Sequence, residues 1–298
     1  MLVKPCERCK KHAESPFDAQ LCEVPKAPSS RMAAAPRRDG SIRRHLGKVN
    51  TMPIIRSGTQ LIYFAHVPKC AGSAVEDHLT ARFGAMALRD TRHLSRPANQ
   101  RWTKTSPQHV DVRSLSRLFP EDFFDATFAV VRHPVSRLIS AWHFQADVER
   151  TVPAGMTFSD WLEELPDWHE SDPFLFDNHT RPMDDIVPRN AEIFHFEHGL
   201  DPIVRWLDLV TGRKEGPRTI GHKTPGGAKA GKKSEKVVPS RQDLETIARI
   251  HARDFERFGY EPDAAAPLAS PPEGPARAAE APPAAPGLLN QVKRWVKP

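Results

Sequence analysis

Two short segments carry residues suited to gripping an anion. The first is Pro68-Lys69-Cys70-Ala71-Gly72-Ser73-Ala74. Its small residues let the backbone pass close to a ligand. A helix starting there aims free N–H groups at negative charge. Lys69 adds a point charge and Ser73 a hydroxyl donor. The second segment is Arg132-His133-Pro134-Val135-Ser136-Arg137-Leu138-Ile139-Ser140. Arg132 offers a forked pair of donors for phosphate oxygens. Ser140 follows about two helical turns later, so a bend at Pro134 lets both face one phosphate. Arg137 is either a further phosphate ligand or a structural ion-pair partner. Neither segment is a Walker A loop, because the lysine precedes the glycine and G-x-x-x-x-G-K-[ST] is absent.

A third residue could move a proton. His109, in Gln108-His109-Val110-Asp111-Val112, follows an irregular stretch and precedes a short helical stripe, where a loop at a sheet edge is expected. An ordinary histidine titrates near neutral pH, which suits a general base. The chain has 14 histidines, so a capping or structural role is the plain alternative. His179, Glu76 and Glu197 are rival bases.

The surrounding pattern supplies elements that would hold these groups. Leu61–Val67 is a short apolar run with aromatic and β-branched residues, read as a buried strand that Pro68 ends. Val75, Leu79 and Phe83 then recur every four residues, predicting a helix stopped by Gly84. Thr127–Val131 repeats the strand, Arg132-His133-Pro134 the turn, and Val135, Leu138, Ile139 and Trp142 the helical stripe. Further helices are expected around Val112–Phe119 and Phe158–Leu162, from Asp201-Pro202 to Gly212, and from Ser240 to Phe258. Ile193–Phe196 reads as a short strand. Strands alternating with helices predict an α/β fold with a mainly parallel sheet flanked by helices. Trp142 and Phe144 read as core rather than as adenine-stacking groups.

These motifs resemble those of carbohydrate sulfotransferases of the heparan-sulfate and chondroitin-sulfate type. His66–Ala74 is similar to their 5′-phosphosulfate loop, and Arg132 to Trp142 to their 3′-phosphate motif. Asn178-His179-Thr180-Arg181-Pro182, Phe196-Glu197 and Asp254–Tyr260 extend the likeness over about residues 58–261. Cys70 and Ser73 stand where many members have Thr, and His133 where many have Asp or Asn. The resemblance implies a P-loop-like sulfotransferase fold. It implies 3′-phosphoadenosine 5′-phosphosulfate as donor and a hydroxyl acceptor on a carbohydrate or glycolipid, with no metal required. Lys69 would then stabilise the oxygen leaving sulfur, and His109 matches a histidine that serves as base. His179 and Arg181 fall to the acceptor. Apart from the resemblance, the basic glycine-rich stretch from Gly221 to Lys233 could close over the donor, with Lys223 as its candidate donor-binding residue, or hold an acidic acceptor; it could equally be a solvated loop.

The bulk properties agree with one sizeable domain between tails. The chain has 298 residues, 39% hydrophobic and 27% charged, and a net charge of +6 that suits an anionic partner without choosing one. Residues 1–57 read as a basic irregular leader, 58–261 as the domain, and 262–298 as a Pro/Ala-rich linker with a short basic tail. That tail, Leu288–Lys297, could touch a membrane surface, though at this length a frayed end is the simpler reading. Cys6, Cys9, His12 and Cys22 lack a second metal-type pair and read as a tail rather than a zinc site. With no spanning or signal segment, a cytoplasmic location is the default expectation. No nucleic-acid module appears. The rival functions are a P-loop-type kinase, which would need a Walker lysine and Mg²⁺, and a non-catalytic anion- or glycan-binding protein.

Overall fold

The computed structural model describes residues 53–262 except 89, 91, 222–233 and 235, together with residue 267. The chain divides into two compact units, Met1–Gly47 and Lys48–Pro298, and the described residues all lie in the second. Cys6, Cys9, His12, Cys22, Lys223 and the Leu288–Lys297 tail lie outside them.

Five strands form one sheet: β1 (Pro53–Ser57), β2 (Gln60–Ala65), β3 (Ala87–Leu88), β4 (Ala126–Val131) and β5 (Glu192–His195), in the order β3-β1-β2-β4-β5. β2, β4 and β5 are parallel neighbours, whereas β1 pairs antiparallel with both β2 and β3. The sheet is therefore mixed, and parallel only in the half that continues into the candidate loops. β1 falls within residues 1–57, the stretch expected to be an irregular leader, and its five residues are a strand. A signal for it existed: Ile54-Ile55 followed by a turn at Gly58, whose φ of 62° favours glycine.

Seven helices accompany the sheet among the described residues: α1 (Gly72–Phe83), α2 (Val112–Leu115), α3 (Pro134–Phe144), α4 (Phe158–Ser171), α5 (Asp201–Thr211), α6 (Arg241–Ile250) and α7 (Ala252–Phe258). β4 is buried from Thr127 to Val131, which explains its near-continuous apolar run. Phe64 stacks on Phe128 at 4.9 Å, and Phe128 meets Trp206 of α5 at 5.1 Å. Trp142 of α3 packs edge-on against Trp161 of α4 at 5.5 Å, so it is a core residue as its stripe predicts. No helix among the described residues is long and apolar enough to cross a membrane.

The last expected helix is in fact two. The backbone leaves helical geometry at His251 (φ −112°, ψ 25°). The reason is Asp254, which is fully buried and accepts hydrogen bonds from the Met183 and Asp184 N–H groups and from His251 Nδ1. The break turns this carboxylate inward to tie down the 178–185 loop. Burial alone would push its pKa up, but the His251 hydrogen bond and charge outweigh that and hold it low.

Candidate active site

The two anion-type segments leave adjacent parallel strands at the same edge. β2 and β4 pair with Ala65 opposite Ala129, so Pro68–Ala71 and Arg132–His133 emerge side by side. Such a crevice at the carboxyl ends of parallel strands is where α/β sheets bind ligands. In the first segment Lys69 (φ 68°) and Ala71 (φ 63°) take left-handed backbone conformations that cost a non-glycine residue about 1–3 kcal/mol each. α1 begins directly after Ala71 with no side-chain cap; the Ala74 and Val75 N–H groups turn back to the Ala71 carbonyl, which leaves those of Gly72 and Ser73 without a partner among the described residues. Among the described residues, no group hydrogen-bonds Lys69 Nζ, the exposed Ser73 hydroxyl or the half-buried Ser140 hydroxyl. The loop thus presents unsatisfied donors and positive charge on a strained, preset backbone. An anion answers both.

Each segment is held by buried groups behind it. Gly72 is set by close approach: a Cβ there would stand 1.8 Å from His66 Nε2. The His66 ring cannot give way easily, since its Nδ1 donates to Glu76 at 2.8 Å and its face stacks on Phe64. Gly72→Ala is therefore expected to destabilise the protein by about 1–3 kcal/mol and to weaken anion binding, both measurable by urea melts with and without ligand. Cys70 is buried, and burial pushes its thiol up to about 12, so it is an inert packing residue. In the second segment His133 works as a helix cap. Its Nδ1 accepts from the Val135 N–H at 3.3 Å and its Nε2 reaches the Glu261 carbonyl at 2.9 Å. A ring nitrogen thereby does the job that Asp or Asn would do at this position. Glu197 holds the same turn, accepting from the His133 N–H and the Tyr260 hydroxyl.

Of the two readings for Arg137, the structure favours a structural one, though without an ion pair. Its side chain is fully buried and donates to three carbonyls: Pro68 at 3.0 Å, Arg181 at 2.8 Å and Asn178 at 3.5 Å. It fastens the first loop to the 178–181 loop. Arg137→Met should cost about 3 kcal/mol or more in denaturant melts, because it leaves buried carbonyls unpaired. Arg132 instead stays at the surface of the site. It donates to the Lys69 carbonyl at 3.4 Å, and its guanidinium lies 5.0 Å from the Phe196 ring. Arg181 is engaged by the protein itself: Asn178 Oδ1 at 3.2 Å, and Asp111 and Asp185 at 3.6 Å each. Those contacts close its loop onto the start of α2 rather than point it at an acceptor.

His109 sits in a short 3₁₀ turn, Pro107–His109, and is buried. Its Nδ1–H donates to Asp177 Oδ2 at 2.7 Å, and Asn178 Nδ2 donates to its carbonyl at 2.7 Å. Asp177 also accepts from the Ser106 hydroxyl at 2.6 Å and from the Ser106 N–H. Burial would push the Asp177 carboxyl up, but the His109 charge and the hydrogen bonds from His109 and Ser106 outweigh it and hold it well below the usual carboxylate range. A carboxylate on Nδ1 leaves the lone pair on Nε2. No group among the described residues bonds that Nε2. This is an oriented base of the kind a proton abstraction needs.

Asp177 is not legible as an orienting group in the sequence. It belongs to Phe176-Asp177-Asn178, three consecutive non-glycine residues with φ of 51°, 56° and 63°. Residues in that region store strain and persist only when their surroundings over-determine them. Ser106, His109 and Arg137 do so for this run. Phe144 likewise has a place at the site that its sequence context does not announce: Lys69 Nζ lies 4.1 Å from its ring centroid, and the His179 ring is 4.9 Å from it. The rival bases Glu76 and Glu197 are both engaged in positioning contacts, with His66 and with the His133 turn. His66, His109 and His179 form a chain of edge-on rings at 4.8 and 5.2 Å.

His109, Asp177 and His179 also place three potential metal-ligand atoms within 4.8 Å of one another. The Asp177 oxygens are taken by Ser106 and His109, and the Nδ1 atoms of both rings are engaged.

A mixed α/β fold thus brings two donor-rich loops together at the ends of β2 and β4, and sets His109 against the Asp177 carboxylate. The sulfotransferase family profile matches residues 52–261, and the chain belongs to that family. It is thus a sulfuryl-transferring protein whose family implies a hydroxyl acceptor. No curated protein and no solved structure gives a significant match.

Proposed function

We propose that the protein transfers a sulfuryl group from 3′-phosphoadenosine 5′-phosphosulfate to a hydroxyl on a carbohydrate or glycolipid. The observation that carries this reading is the pair of donor-rich loops at the ends of β2 and β4, one strained and lysine-bearing, the other arginine-bearing. The first loop, in a P-loop-like strand–loop–helix, holds the 5′ end through Lys69, Ser73 and the first-turn N–H groups of α1. Arg132 and Ser140 hold the 3′-phosphate. The donor supplies the sulfuryl group and departs as the stable bisphosphate.

The remaining chemistry belongs to this chain. Lys69 neutralises charge building on the leaving oxygen as its bond to sulfur breaks. His109 Nε2 takes the proton of the acceptor hydroxyl as the new oxygen–sulfur bond forms. Asp177 keeps the ring in the needed tautomer and stabilises it once protonated. Arg137 fixes the first loop to the 178–181 loop, and Ser106 fixes Asp177.

The test is transfer of labelled sulfate from the donor to a panel of glycan, glycolipid and small hydroxyl acceptors, with calorimetric titration of adenosine 3′,5′-bisphosphate alongside. Transfer with bisphosphate binding supports the reading. Binding of ATP with Mg²⁺ in place of the bisphosphate would replace it with a kinase, and affinity without transfer to any acceptor would leave a binding protein.

A further inference from the structure

Gln145 and His179 form a buried arrangement that the proton-transfer scheme does not use. α3 does not end in an ordinary cap. It runs into a π-turn, Gln145–Glu149, closed by Arg150 in a left-handed conformation. Single π-turns of this kind frequently sit at functional sites. This one turns Gln145 inward, to 2% exposure. The Thr151 hydroxyl donates to Gln145 Oε1 at 2.7 Å, and the Thr151 N–H donates to the Gln145 carbonyl at 3.0 Å. With its amide oxygen so occupied, Gln145 directs Nε2 to His179 Nδ1 at 3.2 Å. An amide N–H on Nδ1 requires a lone pair there, which leaves the ring's proton on Nε2.

We propose that His179 acts as a neutral hydrogen-bond donor, through Nε2–H, to the sulfuryl group in transit, and that Gln145 and Thr151 are positioning residues that set this tautomer. The inference rests on the sulfuryl-transfer reading of the same site. Its geometry is favourable. The His179 ring stands between His109, 5.2 Å away, and Phe144, the ring over which Lys69 lies. Nothing among the described residues bonds Nε2. A sulfuryl group passing from the Lys69 side to the His109 side carries negative charge on its non-reacting oxygens. A preset neutral donor stabilises that charge without adding a third cation beside Lys69 and Arg132.

The charges facing the ring agree. Burial disfavours its cation most, and His109, Lys69 and Arg137 oppose it further; only Asp177 favours it. The ring is therefore held well below the ordinary histidine value, and its donor persists across the working pH range.

Two readouts test this in the full-length protein. Histidine ¹⁵N NMR should show His179 as the neutral Nε2–H tautomer, without titrating, from pH 5.5 to 9, and Gln145→Leu should lose that tautomer preference. His179→Leu should lower kcat by about 10²–10³-fold with little change in bisphosphate affinity, and His179→Asn, which keeps an N–H, should recover part of the loss. An Nδ1–H tautomer, or a ring titrating near neutral pH, overturns the proposal whatever reaction is catalysed. So does an unchanged kcat in His179→Leu. If the tautomer is as stated but wild-type protein transfers sulfate to no acceptor, the sulfuryl-transfer reading fails, and the donor role of His179 fails with it.

Discussion

His109→Ala should lower turnover by about 10²–10⁴-fold while leaving bisphosphate affinity within a few fold. The separation follows from where the residue sits. His109 touches neither anion loop through a hydrogen bond, so donor binding has no reason to change. Its Nε2 carries the lone pair proposed to accept the proton, so the chemical step does. Asp177→Asn offers a graded companion. An amide can donate to Nδ1 as well as accept from it, which permits the wrong tautomer and lowers kcat without removing the ring. Because Asp177 is held ionised, it supports the protonated ring electrostatically, and Asn cannot. Single-turnover rates with saturating donor, together with bisphosphate calorimetry, read both effects. Exogenous imidazole restoring turnover to His109→Ala would locate the loss in proton transfer. A variant that turns over as wild type would remove His109 from the mechanism.

Lys69→Ala should have a similarly large effect, but on both steps. Loss of an electrostatic stabiliser of this kind costs about 10²–10³-fold in kcat, with weaker donor binding besides. Lys69 also makes binding depend on pH. Burial pushes its pKa down to about 8, and the neighbouring Arg132 pushes it the same way, against an opposing contribution from Cys70. Below pH 8 the cation is present for the proposed contact with phosphate. Above pH 8 the free protein must first take up a proton, so affinity falls as pH rises, approaching about tenfold per unit in the limit where the cation is required. Binding above pH 8 should then be accompanied by proton uptake, visible as a buffer-dependent calorimetric enthalpy. Lys69→Arg should flatten the profile, since a guanidinium does not titrate in this range. Affinity that is level from pH 7 to 9.5 in wild type would show that Lys69 does not meet the donor as a cation.

Of these two residues, Lys69 is the one that local pattern places. Strand, tight loop and helix follow one another within about twenty residues in each anion segment, and each step has a local signal. The β-branched and aromatic run of Leu61–Val67, the small residues at 71–72 and the four-residue stripe of α1 are such signals. The capping box at Ser240 and Asp243 is equally local and is present. By contrast, the pattern places β1 in a leader, because its five residues are isolated from the periodic stretch. It is a strand because β2 and β3 pair with it on either side. An unbroken apolar stripe likewise predicts a single C-terminal helix, whereas a buried carboxylate at Asp254 breaks it.

What the sequence determined by itself was where the proposed anion-binding residues Lys69, Ser73, Arg132 and Ser140 stand, each in a short-range strand–loop–helix pattern. What only the tertiary structure decided was how the proton-handling half is oriented. His109 could be singled out as a residue type, but not as a base with a defined lone pair. Its partner Asp177 is 68 residues away and reaches it through a left-handed run that no local preference announces. His179 likewise depends on Gln145, 34 residues earlier, turned inward by a π-turn. The physical reason is one of range. Phosphate cradles are built from consecutive backbone N–H groups and the residues beside them. The tautomer of a buried histidine is set by whichever distant acceptor or donor the fold brings to its other nitrogen.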